Sequence, residues 1–193
     1  MTSALARFCI AATLLLPFFG TGAGAGEPAA LWRALASGGH VAMIRHAYAP
    51  GTGDPANFRL GDCSTQRNLD STGRGQARRT GDMFRKNRVT VARVLSSEWC
   101  RCQETAKLLG MGNVETFPAL NSLHRRTENE ATQISALREF IHALPTDGPS
   151  VVLVSHQATI GAFAGVYPQS GSIVVLKLAG NGTFTVAGSI PAP

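Results

Sequence analysis

Three short apolar runs of this chain, each read as a β-strand, lead directly to a histidine or an arginine. The first ends at Arg45-His46, the second shortly precedes Arg101, and the third ends at His156. Between these runs the apolar residues recur at helical spacing. Strands that alternate with helices predict an α/β domain, a three-layer sandwich with a mostly parallel central sheet. Because the carboxyl ends of parallel strands share one edge, we expect these side chains to form a compact cationic pocket there.

A pocket of this composition suits a phosphoryl group. Arg45 and Arg101 carry planar, permanent positive charges that can hold phosphate oxygens bidentately. Phosphoryl transfer needs fixed positive charge around the equatorial oxygens and a nucleophile in line with the leaving oxygen. A neutral imidazole, from His46 or His156, can act as that nucleophile. The residues themselves therefore favour a phosphoryl-transfer site.

The same segments, taken in order, resemble the histidine phosphatase superfamily, the phosphoglycerate mutase-like group. That family begins with a strand into Arg-His-Gly and a Leu-Thr-x-x-Gly-x-x-Gln-Ala segment. It continues with Ser-Ser-x-x-x-Arg-x-x-x-Thr-Ala and a strand into a second histidine. The matching segments here are Arg45-His46-Ala47, residues 69–77, residues 96–106 and residues 151–156. Residues 96–106 are the most specific part of this resemblance, which covers nearly all of the chain after residue 25.

The resemblance implies a phosphoglycerate mutase-like fold over residues 26–193 and a phosphatase that works through a phosphohistidine intermediate. It assigns His46 as the nucleophile, and it places His156 in the same pocket to stabilise the transferring group. Arg45 and Arg101 then bind the substrate's phosphate. We expect no cofactor and no metal, because the two arginines supply the charge. The implied partner is a small phosphorylated substrate.

Three positions depart from the family's pattern. Ala47 replaces the usual glycine, which is tolerable if φ at this residue is negative. Ser122 stands about where mutase-like members have a glutamate as general acid, and Gln157 stands where the phytase-like branch has an aspartate. Neither replacement can protonate an alkoxide leaving group as a carboxylic acid does.

The general acid is therefore expected elsewhere in the chain, or it is absent. Our candidate is Glu128, just downstream of Ser122. Glu130 is a weaker candidate, because residues 127–130 read as a capping box that already explains it. Without an acid, the enzyme would favour leaving groups that depart without a proton, such as phosphoramidates, acyl phosphates or aryl phosphates.

The amino-terminal residues predict export. Arg7 is the only charged residue among the first 26, and the apolar run 8–19 is followed by small residues that end at Ala23-Gly24-Ala25. This pattern is typical of a signal peptide, here residues 1–25. The apolar run is shorter than the roughly 20 residues that a spanning helix needs. We expect a periplasmic or secreted protein with no stable membrane insertion after processing.

Three cysteines remain after this signal: Cys63, Cys100 and Cys102. In an oxidising compartment two of them are expected to pair. Cys63 can pair with Cys100 or with Cys102, whereas Cys100 with Cys102 would close a strained, tiny loop. Three thiols without a fourth ligand at a familiar spacing make a poor zinc signature. The sequence thus predicts one disulfide and one free thiol.

The charge pattern argues against a nucleic-acid partner. The formal net charge is +6 for the whole chain and +5 without Arg7. The lysines do not cluster and are not interleaved with aromatic residues, so the surface is mildly basic and favours small anions. Two alternatives stay open beside a phosphatase: a phosphomutase, and a non-catalytic anion-binding envelope protein.

Other residues receive structural interpretations or none. We expect Ser96 and Ser97 to satisfy backbone groups at a strand end, and residues 73–77 to start a helix and pack it. His124 and His142 are assigned no role. The long loop 48–68 is of a length that is usually functional in compact domains.

The predicted elements are the following. The strands are residues 40–44, 93–96, 114–117, 151–154, 172–178 and an edge strand at 184–187. The helices are residues 28–37, 73–85, 101–109 and 158–164, with one more that begins at the capping box and presents Ile134, Leu137, Ile141 and Leu144.

Overall fold

The structure, a computed structural model, describes residues 27–193. The predicted signal peptide, residues 1–25, lies outside the described residues. The strands are β1 His40–Arg45, β2 Val91–Ser96, β3 Val114–Thr116, β4 Ser150–Ser155, β5 Ile173–Leu178 and β6 Phe184–Ile190. The helices are α1 Pro28–Ser37, α2 Ser71–Lys86, α3 Cys100–Leu109, α4 Glu130–His142 and α5 Gln157–Ala164. Within the described residues, no helix is long and apolar enough to cross a membrane.

All the strands belong to one sheet, in the order β3-β2-β4-β1-β5-β6. The pairings of β3 with β2, β2 with β4, and β4 with β1 are parallel, whereas β5 pairs antiparallel with both β1 and β6. The predicted mostly parallel sheet is confirmed. Because β2, β4 and β1 are parallel neighbours, their carboxyl ends lie side by side at one edge.

Alternation along the central strands builds a core on each face of the sheet. In β1, Ala42 and Ile44 pack into one buried cluster and Val41 and Met43 into the other. The first cluster takes its helical residues from α1, α2 and α3, and the second takes them from α4 and α5. Successive side chains of a strand point to opposite faces, so one buried strand contributes residues to both clusters. The predicted three-layer sandwich is therefore confirmed.

The helix after residue 126 begins differently from our expectation. The predicted capping box at residues 127–130 is wrong, because Thr127–Asn129 form a short 3-10 turn and α4 begins at Glu130. The Asn129 amide donates to the Arg126 carbonyl, and the Glu130 amide donates to the Thr127 carbonyl. These backbone hydrogen bonds satisfy amides that would otherwise need a side-chain cap as acceptor.

Several elements are longer than predicted, and α2 and β6 show the physical reasons. α2 begins at Ser71 instead of residue 73, and the Asp70 carboxylate caps it by accepting from the Gly73 amide at 2.8 Å. β6 continues to Ile190, past the predicted end at 187, through a bulge beside Gly188, whose φ is 151°. A glycine at positive φ interrupts the apolar pattern without ending the strand.

Candidate active site

The ends of β1, β4 and β2 bring both histidines together. Arg45 is in register with Ser155, and Val154 is in register with Ser96. His46 and His156 each follow the last residue of their strand, and their ring centroids lie 5.4 Å apart. The predicted meeting of these side chains at one sheet edge is therefore present in the structure.

The ring of His46 is held in one orientation by its neighbour's carbonyl. Nδ1 lies 2.8 Å from the Ala47 oxygen. Because a carbonyl only accepts, Nδ1 carries the proton and the lone pair is on Nε2. Burial, followed by the nearby Arg101 charge, lowers the pKa of His46 to about 3. His46 is therefore a neutral imidazole with a free lone pair at physiological pH.

His156 is fixed by a chain of polar side chains. The Asn121 amide donates to a Glu98 carboxylate oxygen at 2.7 Å, so its own oxygen faces Ser97. The Ser97 hydroxyl donates to that oxygen at 3.2 Å and lies 2.9 Å from His156 Nε2. Nε2–H then donates to Ser97, which leaves the lone pair on Nδ1, 3.5 Å from an Arg101 nitrogen. Burial, followed by the Arg101 charge, holds the pKa of His156 well below its usual value.

Arg101 is buried and paired with Asp54, a carboxylate that the sequence analysis did not name as a site residue. Its NH1 lies 2.6 Å from Asp54 Oδ1 and its NH2 lies 3.3 Å from Oδ2. Trp99 Nε1 also donates to Asp54, at 3.0 Å. Burial opposes ionisation of Asp54, but the hydrogen bonds from Arg101 and Trp99 outweigh it and lower the pKa. Asp54 is therefore a carboxylate, and it orients the guanidinium of Arg101.

Both predicted phosphate-binding arginines keep an unused donor. Arg45 NH1 donates to the Pro168 carbonyl at 3.0 Å. Among the described residues, Arg45 Nε and Arg101 Nε are buried nitrogens with no hydrogen-bond partner. Buried polar groups nearly always find partners, so these two donors beside two histidines are available to an anion.

Thr105 joins the segments that carry His46 and Arg101. Its hydroxyl accepts from the Ala47 amide at 3.0 Å and donates to the Arg101 carbonyl at 2.7 Å. This pair of bonds explains the threonine of the Thr-Ala motif in physical terms. Among described non-glycine residues, positive φ occurs only at Arg88 and Arg125, so Ala47 meets the condition expected of it.

Segment 73–77 has the expected packing role, and its contact is with the loop after His46. Gln76 Oε1 accepts from the Tyr48 amide at 2.9 Å, and its Nε2 donates to the Ser170 carbonyl at 3.2 Å. A Cβ on Gly73 would lie 1.9 Å from the Tyr48 oxygen, so only glycine permits this approach. Ser96 donates to the Ser97 carbonyl.

A disulfide joins Cys63 to Cys100, with the Cα atoms 5.7 Å apart. It is one of the two pairings that we predicted, and it attaches the loop after β1 to the residue before Arg101. Cys102 is the free, buried cysteine of the described residues, and its sulfur lies 3.3 Å from His156 Nε2. Burial raises the pKa of Cys102 to about 12, so it stays a thiol.

These groups line a cavity of about 610 Å³. Glu128, the candidate acid, is exposed on its lining, and Ser122 and Gln157 also line it. So does His124, to which we had assigned no role. The residues that sequence reasoning missed are Asp54, Arg67, Arg125 and Arg126. Asp54 and Arg67 lie in loop 48–68, and the length of that loop was the only feature of the sequence that indicated a functional role there. Within residues 27–193, no three His, Cys, Asp or Glu side chains are grouped as a metal site requires.

Comparison with known proteins agrees with this geometry. The family model described as the histidine phosphatase superfamily (branch 1) matches residues 41–133, a span that includes His46 and Arg101. No curated protein matches the chain.

Solved structures share the fold. The protein histidine phosphatase SixA, solved with tungstate, aligns with a TM-score of 0.61 at 20% identity over 79% of this chain and 96% of its own. A structure from Nakamurella multipartitia, named as a phosphohistidine phosphatase SixA, aligns at 0.55 and 20% identity over 79% and 95% of the chains. A mycobacterial glucosyl-3-phosphoglycerate phosphatase complexed with VO3 aligns at 0.51 and 17% identity over 71% and 92%. The chain is thus similar to the histidine phosphatase superfamily (branch 1) over residues 41–133, and it shares its fold with phosphatases of known structure.

Proposed function

We propose that this protein is an exported phosphatase that hydrolyses phosphate esters or phosphoramidates through a phosphohistidine on His46. The observation that carries the proposal is the pairing of a neutral His46, with its lone pair on Nε2, with two arginine donors that lack partners. Tungstate and VO3, the ligands of two structural neighbours, are oxyanions.

In the first step, the Nε2 lone pair of His46 attacks phosphorus and the bond from phosphorus to the leaving group breaks. Arg45 and Arg101 stabilise the charge on the equatorial oxygens, which is the largest contribution that a protein makes to this chemistry. The low pKa of His46 supports this role, because a protonated imidazole has no lone pair for attack. His156, beside Arg101, contacts the same phosphoryl group.

The leaving group departs with a proton where it needs one. Asp54 is excluded as its source, since the carboxylate is ionised and paired with Arg101. Ser122 lines the cavity at the position of the family's acid but has no proton acidic enough for the task. Glu128 is the remaining carboxyl group on the lining, and we assign it the role of general acid. Substrates whose leaving groups need no proton then react independently of Glu128.

In the second step, water attacks the phosphorus of phosphohistidine and gives up a proton, which returns to the Glu128 carboxylate where Glu128 had protonated the leaving group. The bond from phosphorus to Nε2 breaks, inorganic phosphate leaves, and neutral His46 is restored. The charge that these steps require comes from arginine, so chelators are expected to leave the rate unchanged. Inorganic phosphate and vanadate are expected to inhibit competitively.

Export is part of the proposal. The pattern of residues 1–25 supports it, and so does the disulfide between Cys63 and Cys100, a bond that persists in oxidising compartments. Sequencing the amino terminus of the protein recovered from the periplasm or medium tests it. A mature chain that begins near Gly26 is expected, and retention of residues 1–25 in a cytoplasmic protein would contradict export.

The central experiment traps the intermediate. Wild type is mixed with p-nitrophenyl phosphate labelled with ³²P and quenched, and the phosphoprotein is treated with acid or base. Label that survives base, is lost in acid and is absent from His46→Ala supports the proposal. Turnover by His46→Ala at the wild-type rate would remove His46 as the nucleophile. A wild type that binds phosphate without turnover would favour the non-catalytic anion-binding alternative.

A further inference from the structure

The cavity carries more positive charge than a phosphoryl group requires. Its charged lining consists of five arginines and two carboxylates: Arg45, Arg67, Arg101, Arg125, Arg126, Asp54 and Glu128. These seven side chains carry a net charge of +3 with Glu128 ionised, and +4 when Glu128 holds the proton of a general acid. A phosphate monoester at neutral pH brings about two negative charges. At least one positive charge is therefore left for the organic part of the substrate.

The cavity is also large enough for an organic group. A volume of about 610 Å³ falls in the range of sites that bind small organic molecules, roughly 300 to 1,000 Å³. The exposed ring of Tyr167 and the ring of Phe58 contribute apolar surface to its lining. The cavity thus has room for a group that extends past the phosphate toward the remaining arginines.

The surplus arginines differ in how they are held. Arg67 donates from Nε to the Gly53 carbonyl at 2.7 Å and from NH1 to the Ala49 carbonyl at 2.6 Å, so it braces the loop. Arg126 lies over the rings of Phe58 and Trp99, 4.9 and 5.3 Å from their centroids. Both therefore have structural partners.

Arg125 has no such partner. It lines the cavity and is exposed, and no side chain or carbonyl of residues 27–193 forms a hydrogen bond or ion pair with its guanidinium. Its φ is 58°, a left-handed conformation that is strained for a non-glycine residue. Such strain persists where surrounding structure imposes it, and it concentrates at ligand sites. Here it places a free cation at the wall of the cavity.

We propose that the substrate is a phosphorylated small molecule with a second anionic group, such as a carboxylate, and that Arg125 binds that group. This inference rests on the proposed function for its phosphate end. Arginine suits the role because its planar fork matches a carboxylate. The second anionic group determines which substrate is selected, while His46 attacks the phosphate and Arg45 and Arg101 bind it.

Binding of phosphonates tests the inference without turnover. Calorimetry compares ω-phosphonocarboxylates that have two to five methylene groups with alkylphosphonates of matched length. We expect wild type to bind the best carboxylate about fivefold or more tightly than its alkyl partner, as for an ion pair in a partly enclosed site. Arg125→Gln is expected to abolish this preference.

A matched control removes the same charge elsewhere. Arg78 is exposed on α2, outside the cavity lining, so Arg78→Gln should keep the wild-type preference. Equal binding of both ligand classes by wild type would overturn the inference, and so would equal loss of preference in Arg125→Gln and Arg78→Gln. Because phosphonates are not hydrolysed, this outcome is separate from the proposed function. Hydrolysis of alkyl phosphates and carboxyalkyl phosphates at equal efficiency would support the proposed phosphatase activity. It would contradict the inference that a second anionic group is recognised.

Discussion

Asp54 holds the guanidinium of Arg101 at two points, with Oδ1 2.6 Å from NH1 and Oδ2 3.3 Å from NH2. The two side chains come from different parts of the fold, since Asp54 lies in the loop after β1 and Arg101 lies in the first turn of α3. Both terminal nitrogens of Arg101 are engaged, and its Nε has no partner among the described residues. The carboxylate thus fixes the plane of the guanidinium and sets which donor remains for a phosphoryl group.

Asp54→Asn is expected to destabilise the protein by about 3 kcal/mol, since removal of one partner leaves a buried charge uncompensated. Inorganic phosphate should raise the melting temperature of this variant more than that of wild type, because the anion replaces the missing charge. The control is Asp82→Asn, which breaks an exposed pair with Arg85 of the same 2.6 Å length and should cost less than about 0.5 kcal/mol. Equal melting temperatures for the two variants would contradict a structural role of the buried pair.

The buried neutral histidines predict a loss of stability in acid. The pKa of His46 is lowered to about 3 by burial and then by Arg101, and that of His156 is lowered for the same reasons. Between the unfolded value near 6.5 and these folded values, the unfolded chain binds more protons, so stability falls as pH falls. Each histidine contributes a slope of about 1.4 kcal/mol per pH unit. Above pH 6.5 neither contributes to the pH dependence.

Urea denaturation at pH 7, 6 and 5 measures this slope. His46→Asn removes one titrating group, so its stability should depend on pH about half as steeply as that of wild type over this interval. An unchanged slope in the variant would show that His46 is not buried in its neutral form.

The disulfide between Cys63 and Cys100 should stabilise both the fold and the wall of the cavity. It closes a segment with a sequence separation of 37 residues, for which reduction is expected to cost about 2 to 4 kcal/mol. Reduction should also weaken phosphate binding, because the loop that carries Asp54 loses its attachment near Arg101. Thermal denaturation and phosphate titration, with and without dithiothreitol, measure both effects. The variant Cys63→Ser should not respond to dithiothreitol, and a wild type with equal stability in both conditions would contradict the prediction.

The sequence predicted the sheet edge well because the signal there is local. Continuous apolar runs mark β1 and β4, and His46 and His156 come directly after these strands in the chain. The pairing of Asp54 with Arg101 was not predictable in this way, because loop 48–68 has no periodicity and the contact depends on how the loop folds back. The capping box at residues 127–130 failed for a related reason: backbone carbonyls of a 3-10 turn competed for the same amides. Glu128 was predicted from its distance along the chain, and its role stays a prediction.

Glu128 is tested by the chemistry of the leaving group. An alkyl phosphate releases an alkoxide that must be protonated in the transition state, whereas an aryl phosphate releases a stable phenolate. Glu128→Gln is therefore expected to lower kcat for alkyl phosphates by about 10²-fold or more and to change kcat for p-nitrophenyl phosphate by less than about threefold. Glu130→Gln is the matched control, because Glu130 is also exposed but is not part of the cavity lining, and it should leave both rates unchanged. Equal effects of Glu128→Gln on the two substrate classes would eliminate Glu128 as the acid and restrict the enzyme to leaving groups that need no proton.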